Sequence, residues 1–534
     1  MKRILLAAGI IYLFAAAGCK KGYLDINTNP NNPADVIPEL VLPSALNATA
    51  ARQVNAFTFV SGWMGQWAVS GSYAPSTTNF STYKETTDFG EGLWATIYNN
   101  LEDYQYVEQK AIQQNKPFYQ GAAKIMKAHD FQQLVDMFGN VPYFNALQGT
   151  ANLQPVYDDQ VAIYEDLIVQ IDSGISYIEA SAGAGVPSGS DIMFNGDVTA
   201  WTQFANSLKL RILIRQTEVG RDGYIQSNID AIHGGYLEDD AGVNPGYTNS
   251  AGKQNPFYSV NYNTSGTYIN DFWRANDFAI DFFFDPIHHD SARGAALYAF
   301  TPTSLSANKA YFSSDDYLSL TPEEKALIPA DTLLVWQGND IGSTSGYVGS
   351  NSSAFGPANP TVTYGPGVSY STHISSSVSQ KAIVMSAAES YFLQAEAALR
   401  GFIDDDPEVL YHKGVEASFS YLGVGGAEEY YSNPANSLAY WNEGQSFTYK
   451  LNLIIAQKWA AELNVTPLQV WCDYRRLPNL PFNKSIPLSV SPYVEPGGVP
   501  IRILYPTSEY STNGENVPDQ GAQAHHTDKL FWMP

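Results

Sequence analysis

Apolar residues recur at three- and four-residue steps through two stretches of the chain, roughly 90–220 and 380–478, and lose that rhythm elsewhere. Such spacing lays one stripe along an α-helix. In LWATIYNNLEDYQYVEQKAI the stripe is Trp94, Ile97, Tyr98, Leu101 and Tyr104. Lys116-Pro117 interrupts it. GAAKIMKAHDFQQLVDMFGN resumes with Ile125, Leu134, Val135 and Phe138, and Gly139 is a stop signal. DDQVAIYEDLIVQIDSGISYI follows, then a Gly/Ser-rich turn near 181–190. WTQFANSLKLRILIR closes the block with Phe204, Leu208 and Ile212 spaced by four. The second block opens with SAAESYFLQAEAALRG, whose narrow stripe of Ala388, Phe392, Ala395 and Leu399 lets another helix approach closely. Gly401 ends it. YHKGVEASFSYLG comes next, then LNLIIAQKWAAEL with Ile455, Trp459 and Leu463 on one face. In TPLQ, Thr466 is the expected N-cap, Pro467 the first helical residue and Gln469 the capping-box partner.

These segments make about eight helices in four consecutive pairs. A pair that cannot bury its apolar face alone stacks on the next, so the pattern predicts a mainly α, short helical solenoid. Loop-rich sequence fills 221–379 and 479–534, and 337–379 is rich in Gly, Ser, Asn and Pro. A loop of that length inside a compact protein is usually functional or disordered.

The first residues have a different texture. Lys2 and Arg3 precede an uncharged apolar run, Ile4 to Ala17, and small residues lead into Cys19. The run is shorter than the roughly 20 residues a membrane span needs, and suits a signal peptide over 1–18. The pattern resembles a bacterial lipobox, which makes Cys19 the expected lipid-carrying residue of a mature chain spanning 19–534. Cys472 is the other cysteine, so a disulfide framework is not expected. With 53 acidic against 29 basic residues, the formal charge of −24 argues against a nucleic-acid partner. Charged residues are only 15% of the chain and tyrosines number 35, a balance suited to neutral polar ligands or to a loop-rich extracytoplasmic protein.

Segments along nearly the whole chain resemble the SusD/RagB family of surface lipoproteins from Bacteroidetes-type bacteria, closest to its second SusD-like subfamily. CKKGYLDINTNPNNP, IMKAHDFQQLVDMFGNVPY, FANSLKLRILIR, NPFY (255–258), SAAESYFLQAEAALRG, YHKGVEASF, IIAQKWAAEL, VWCDYRRLP, VPIRILYPTSEYSTNGENV and KLFWMP occur in the family's order. FDPIHHDSARG (284–294) departs from it, because Arg293 follows Asp290 after two intervening residues instead of joining a contiguous Asp-Pro-Arg. The resemblance implies tetratricopeptide-like helical pairs as scaffold and loops as the ligand face. It also implies an outer-membrane lipoprotein that binds oligosaccharides, or alternatively oligopeptides. A SusC-like TonB-dependent transporter is the implied partner. No catalysis and no cofactor are expected.

Glu389 and Glu396 lie seven apart on one helix side, and a carboxylate pair is the signature of glycoside hydrolysis. A lipid-anchored extracellular hydrolase is therefore the alternative. Glu396, however, precedes Arg400 by four, as in a helix-surface ion pair. His288, His289 and Asp290 lack an evident third partner for a metal, and the same holds for His525-His526, so no metal site is expected. The acidic run Asp404–Asp406 fits the start of a helix near Pro407. Cys472 reads as a buried apolar residue.

Aromatics remain. The flat C–H faces of sugars stack on Trp and Tyr. Loop residues Tyr73 and Tyr83, together with Tyr262, Tyr268, Trp273 and Trp336 from the long insertion, are the expected ligand-binding set. Asn79, Asn270 and Arg274 are candidate readers of hydroxyl groups.

Overall fold

The first described helix lies upstream of the region where periodicity is evident. It is α1 (Pro38–Asn55), whose buried face is Leu42, Ala45, Leu46 and Ala50. Its small residues and internal Pro43 give only a faint stripe. The computed structural model describes residues 36–285, 290–298, 301–304, 332–335, 338–344, 377–517 and 524–534. Residues 1–18 with the expected signal peptide, Cys19, His288, His289 and Trp336 lie outside them.

The predicted pairs follow: α2 (Glu91–Gln114) with α3 (Pro117–Phe138), α4 (Gln160–Ala180) with α5 (Val198–Ile214), α6 (Ala387–Leu399) with α7 (Pro407–Leu422), and α8 (Phe447–Ala461) with α9 (Pro467–Arg476). Local chemistry sets their ends. Asp159 accepts from the N–H groups of Val161 and Ala162, and Asp197 from those of Thr199 and Ala200. Asp406 caps α7 through Glu408 and Val409, as the acidic run suggested. Gly139 and Gly401 end their helices at φ 81° and 79°, where a side chain would be strained. The start of α9 differs from expectation. Pro467 is the first helical residue, but Thr466 makes no side-chain cap. Its hydroxyl donates to Glu462, and Gln469 Oε1 accepts from Arg215 at 2.5 Å. Burial between pairs outcompetes the local cap.

Neighbouring helices pack in a continuous row from α1 to α9, with α5 against α6 joining the two blocks. This is the mainly helical, stacked-pair architecture the periodicity predicts. Helix α3 is buried along almost its whole length. Where it meets α4 the backbones touch. A Cβ on Gly121 would stand 2.6 Å from the Gly174 carbonyl oxygen, and one on Gly174 would stand 2.7 Å from Ile125 Cγ1.

Buried ion pairs tie several of these helices together. Arg52 on α1 pairs with Asp130 on α3, and Arg215 at the end of α5 lies 3.5 Å from Asp136 on α3. Arg211 on α5 grips Glu389 on α6 with two bonds of 2.8 and 2.7 Å. Arg476 on α9 grips Glu396 on α6 at 2.5 and 2.8 Å. Glu389 and Glu396 are 0% and 2% exposed. The surface-pair expectation for Glu396 is therefore corrected. Arg400 does bond it at 2.8 Å, but the carboxylate is interior and its main partner is a helix of the next pair. Asp473 beside Lys458 and Arg476 is held well below the usual carboxylate range by these two cations, despite its burial. Asp290 and Arg293, displaced from the family spacing, form a fully buried pair at 2.6 Å. Arg293 also donates to Ser418 on α7 and Gln457 on α8.

The row is closed on itself. The segment before the first pair lies against the fourth, with Trp63 and Trp471 rings 5.4 Å apart. Trp459 Nε1 donates to the Met64 carbonyl at 2.7 Å and Gln66 Nε2 to the Trp459 carbonyl at 3.1 Å. From the chain end, Arg502 bonds the Phe138 carbonyl and Trp532 is fully buried. The strands described are short antiparallel pairs: β1 (Trp67–Val69) with β3 (Trp273–Ala275), β2 (Ala241–Val243) with β6 (Ala382–Met385), and β4 (Thr301–Ser304) with β5 (Thr332–Val335).

Candidate ligand-binding face

The pairing of β1 with β3 brings the two aromatic stretches together. Its register sets Trp67 opposite Ala275 and Val69 opposite Trp273, and Ser70 N–H extends the ladder to the Phe272 carbonyl at 2.8 Å. Alternation along a strand sends neighbouring side chains to opposite faces. Trp67 is 3% exposed, and its Nε1 donates to Asn464 Oδ1 at 2.8 Å, which roots the ladder in the loop between α8 and α9. Trp273 is half-buried. Its ring sits 5.4 Å from Trp67, 5.1 Å from Phe80 and 5.0 Å from Phe272. Phe272 in turn meets Tyr73 at 5.3 Å, and Tyr73 is 45% exposed.

A second cluster lies on the same insertion. Asn255 caps a short helix, Pro256–Asn261, by accepting from Tyr258 N–H, and Pro256 takes the first helical position. The chain then makes a small hairpin. Tyr262 bridges Tyr268, and Asn263 Oδ1 orders the tip by accepting from Ser265 and Thr267. Tyr258 stacks on Tyr262 at 5.0 Å, and Tyr262 meets Tyr268 edge-on at 5.4 Å. Burial pushes the Tyr262 hydroxyl pKa well up, so it stays a neutral hydrogen-bonding group.

Two residues join the clusters. Asn270 donates to Asn261 Oδ1 at 2.9 Å and accepts from Trp273 N–H at 3.0 Å. Arg274 lies 5.7 Å over the Tyr268 ring and bonds the carbonyls of Asn270 and Trp273. Asn270 and Arg274 are thus occupied in building the platform, which changes their expected role as hydroxyl readers. Asn79 is exposed.

The placement of the expected residues is therefore uneven. Tyr73 and Trp273 share one chain of ring contacts, and Tyr262 and Tyr268 form the adjoining pair. Tyr83 is corrected. It is fully buried, at φ 56°, and its hydroxyl oxygen accepts from Ser489 N–H at 2.8 Å, so its ring offers no face to a ligand. Trp336 lies outside the described residues. Phe272 and Phe80, which line the same cluster, were missed, although Phe272 stands beside Trp273 in DFWR and its position was legible. Clefts elsewhere have other linings. One of about 720 Å³ lies between Gln226, Tyr236, Phe402 and Asp405, and one of about 440 Å³ lies between Glu238, Lys381 and Tyr421.

What the platform offers is half-exposed aromatic surface held rigidly by backbone pairing, with uncharged amides and hydroxyls close by. Such a face binds flat apolar patches on otherwise polar molecules.

Solved structures share this architecture. A SusD-like protein from Bacteroides thetaiotaomicron superimposes with a TM-score of 0.69 at 23% identity, covering 93% of this chain and 98% of its own. A SusD homologue from Bacteroides uniformis gives 0.69 at 22% identity, over 94% and 100%. A chitin-binding SusD homologue from Flavobacterium johnsoniae gives 0.69 at 19% identity, over 93% and 98%. At those identities the likeness establishes the fold. No curated protein matches the sequence significantly. Residues 30–506 match the SusD-like_2 family, described as starch-binding and associating with the outer membrane. With that match spanning most of its length, the chain belongs to the SusD-like family of outer-membrane-associated binding proteins.

Proposed function

We propose that this protein is a surface lipoprotein, anchored through Cys19, that binds oligosaccharides on the Tyr73–Phe272–Trp273 and Tyr262–Tyr268 platform and passes them to a SusC-like TonB-dependent transporter. The observation that carries the ligand class is the chain of half-exposed rings on a ladder rooted in the scaffold. A sugar ring presents C–H surface and no charge, which suits these rings better than it suits an ionic site. The family description and the chitin-binding homologue point to the same class. The platform is shallow and its amides are partly spent on its own structure. A few hydrogen bonds of about 1 kcal/mol each then give modest affinity, as a delivering protein requires. Calorimetry with starch- and chitin-derived oligosaccharides is the test, on wild type and on Tyr73→Ala and Trp273→Ala variants whose folding is checked by circular dichroism. Each folded variant should bind at least about tenfold more weakly, the loss of roughly 1.4 kcal/mol expected for one stacking face. Undiminished binding in both rejects the platform. Binding of short peptides but of no glycan leaves the platform standing and overturns the ligand class.

A further inference from the structure

We propose that Glu495, His525 and His526 form a zinc site that staples the C-terminal segment to the loop carrying Glu495. The two histidines are adjacent in sequence, a poor prospect for shared ligation while both side chains extend freely. Here they fold towards one another, with ring centroids 4.1 Å apart and a tilt of 46°. One ligand atom from each of the three residues falls within 4.8 Å of the others. Glu495 Oε2 is 3.6 Å from His525 Nε2. Zinc–ligand bonds of about 2.0–2.1 Å in a tetrahedron place ligand atoms roughly 3.3 Å apart, so this edge already has nearly the right length. The other separations do not exceed 4.8 Å.

A second observation points to an occupant. Both ring nitrogens of His526 are buried and have no hydrogen-bond partner among the described residues. Buried polar atoms are normally satisfied, and a buried imidazole without a partner calls for a water or an ion. The ring is held in place by shape. It fills the space over Gly497, where a Cβ would stand 2.6 Å from His526 Cγ, and Gly497 has φ 129°. The surrounding backbone is tied to the chain at Thr82 and Tyr83: Glu495 N–H donates to the Thr82 carbonyl at 2.8 Å. The Tyr83 carbonyl oxygen lies 3.2 Å from His525 Nε2. Without metal, Nε2–H donates to that carbonyl. With metal, the proton resides on Nδ1 and Nε2 supplies its lone pair, leaving the carbonyl or a water for the remaining position.

Two imidazoles and a carboxylate are a donor set suited to zinc, harder than thiolate sites and softer than the all-oxygen cages of calcium. The full chain, stripped with chelator and purified in detergent, should bind one zinc ion per molecule by calorimetry and give the visible absorption of tetrahedral cobalt on substitution. Glu495→Gln and the His525→Ala/His526→Ala double variant should each weaken binding by more than the about 10- to 100-fold that loss of an outer-shell partner costs. Zinc should raise the melting temperature of wild type and not of the double variant. His288→Ala/His289→Ala should bind as wild type does. Glu495→Gln is close in shape to the native side chain, so it decides the matter if the double variant misfolds. No stoichiometric zinc in wild type, unchanged binding in Glu495→Gln, or binding that follows His288 and His289 overturns the proposal.

Discussion

Replacing Arg211 with Met removes one half of the clamp between α5 and α6 while keeping most of its volume. Glu389 would then be a fully buried carboxylate without its cation, since Arg211 supplies both of its guanidinium bonds, at 2.8 and 2.7 Å. Glu462, also buried, is close enough for its pKa to be raised by the charge on Glu389. Removing the arginine therefore leaves two acidic groups in one dry junction. Breaking a buried pair from one side costs about 3–5 kcal/mol, because the desolvated charge remains. Unfolding entropy of about 2.1 cal/mol/K per residue over roughly 500 residues makes 1 kcal/mol worth about 1 °C. The single variant should thus melt about 3–5 °C lower by calorimetry. Arg211→Met with Glu389→Met removes both charges, and exchange of a whole buried pair for apolar residues is often neutral or stabilising. The double variant should recover most of the loss. A single variant that melts within about 1 °C of wild type, or a double variant no more stable than the single, refutes the reasoning.

Glu462 provides a pH test. Burial, and then the neighbouring Glu389, push its pKa up from 4.5 to about 8. The folded chain holds a proton there that the unfolded chain has released, so this contribution is complete below about pH 4.5 and is lost as pH rises through about 8. In urea titrations across that window Glu462→Gln should show a shallower fall in stability than wild type, by up to about 1.4 kcal/mol per pH unit; parallel profiles contradict the assignment. At the α3–α4 crossing, Gly174→Ala forces a methyl against Ile125 and should cost about 1–3 kcal/mol in denaturant stability; a neutral result means that the helices are not in contact. Cys19→Ala should move the protein out of the membrane fraction, while affinity purification of wild type in mild detergent should recover a large outer-membrane barrel. An unchanged fraction removes the anchor, and repeated recovery of the protein alone removes the transporter.

The scaffold was legible where one face of a helix differs from the other. Trp94, Ile97, Leu101 and Tyr104 mark α2 because the opposite face meets water. Helix α1 gives a faint signal because its buried face mixes Leu42, Ala45, Leu46 and Ala50 with the polar Thr49, Arg52 and Gln53, and the buried breadth of α3 was hidden because His129, Asp130, Gln133 and Asp136 look like a solvated face. Those residues are interior because their partners come from other helices, far away in sequence: Arg52 is 78 positions from Asp130. The same blindness turned Glu396 into a surface pair and Thr466 into a cap. At the candidate site, the existence of loop aromatics was plain. Their sorting was not, for Tyr73 joins the platform through a strand pairing some 200 residues apart, whereas Tyr83 is buried with its hydroxyl bonded to Ser489, 406 positions away. No local pattern carries that information.

The closure of the helical row on itself has a bearing on how the chain is made. An open array of helical pairs can begin folding while its far end is still being synthesised, and it can fray from either end. Here Trp63, Met64 and Gln66 have partners in Trp459 and Trp471, some 400 positions later, as well as nearby, and Trp532 is fully buried. The early part of the chain must wait, incompletely buried, for the late part. Contacts of such sequence separation form slowly and leave apolar surface exposed in the interval. Closure of the row thus couples burial of its first elements to the arrival of its last, so the array gains stability as a whole instead of pair by pair.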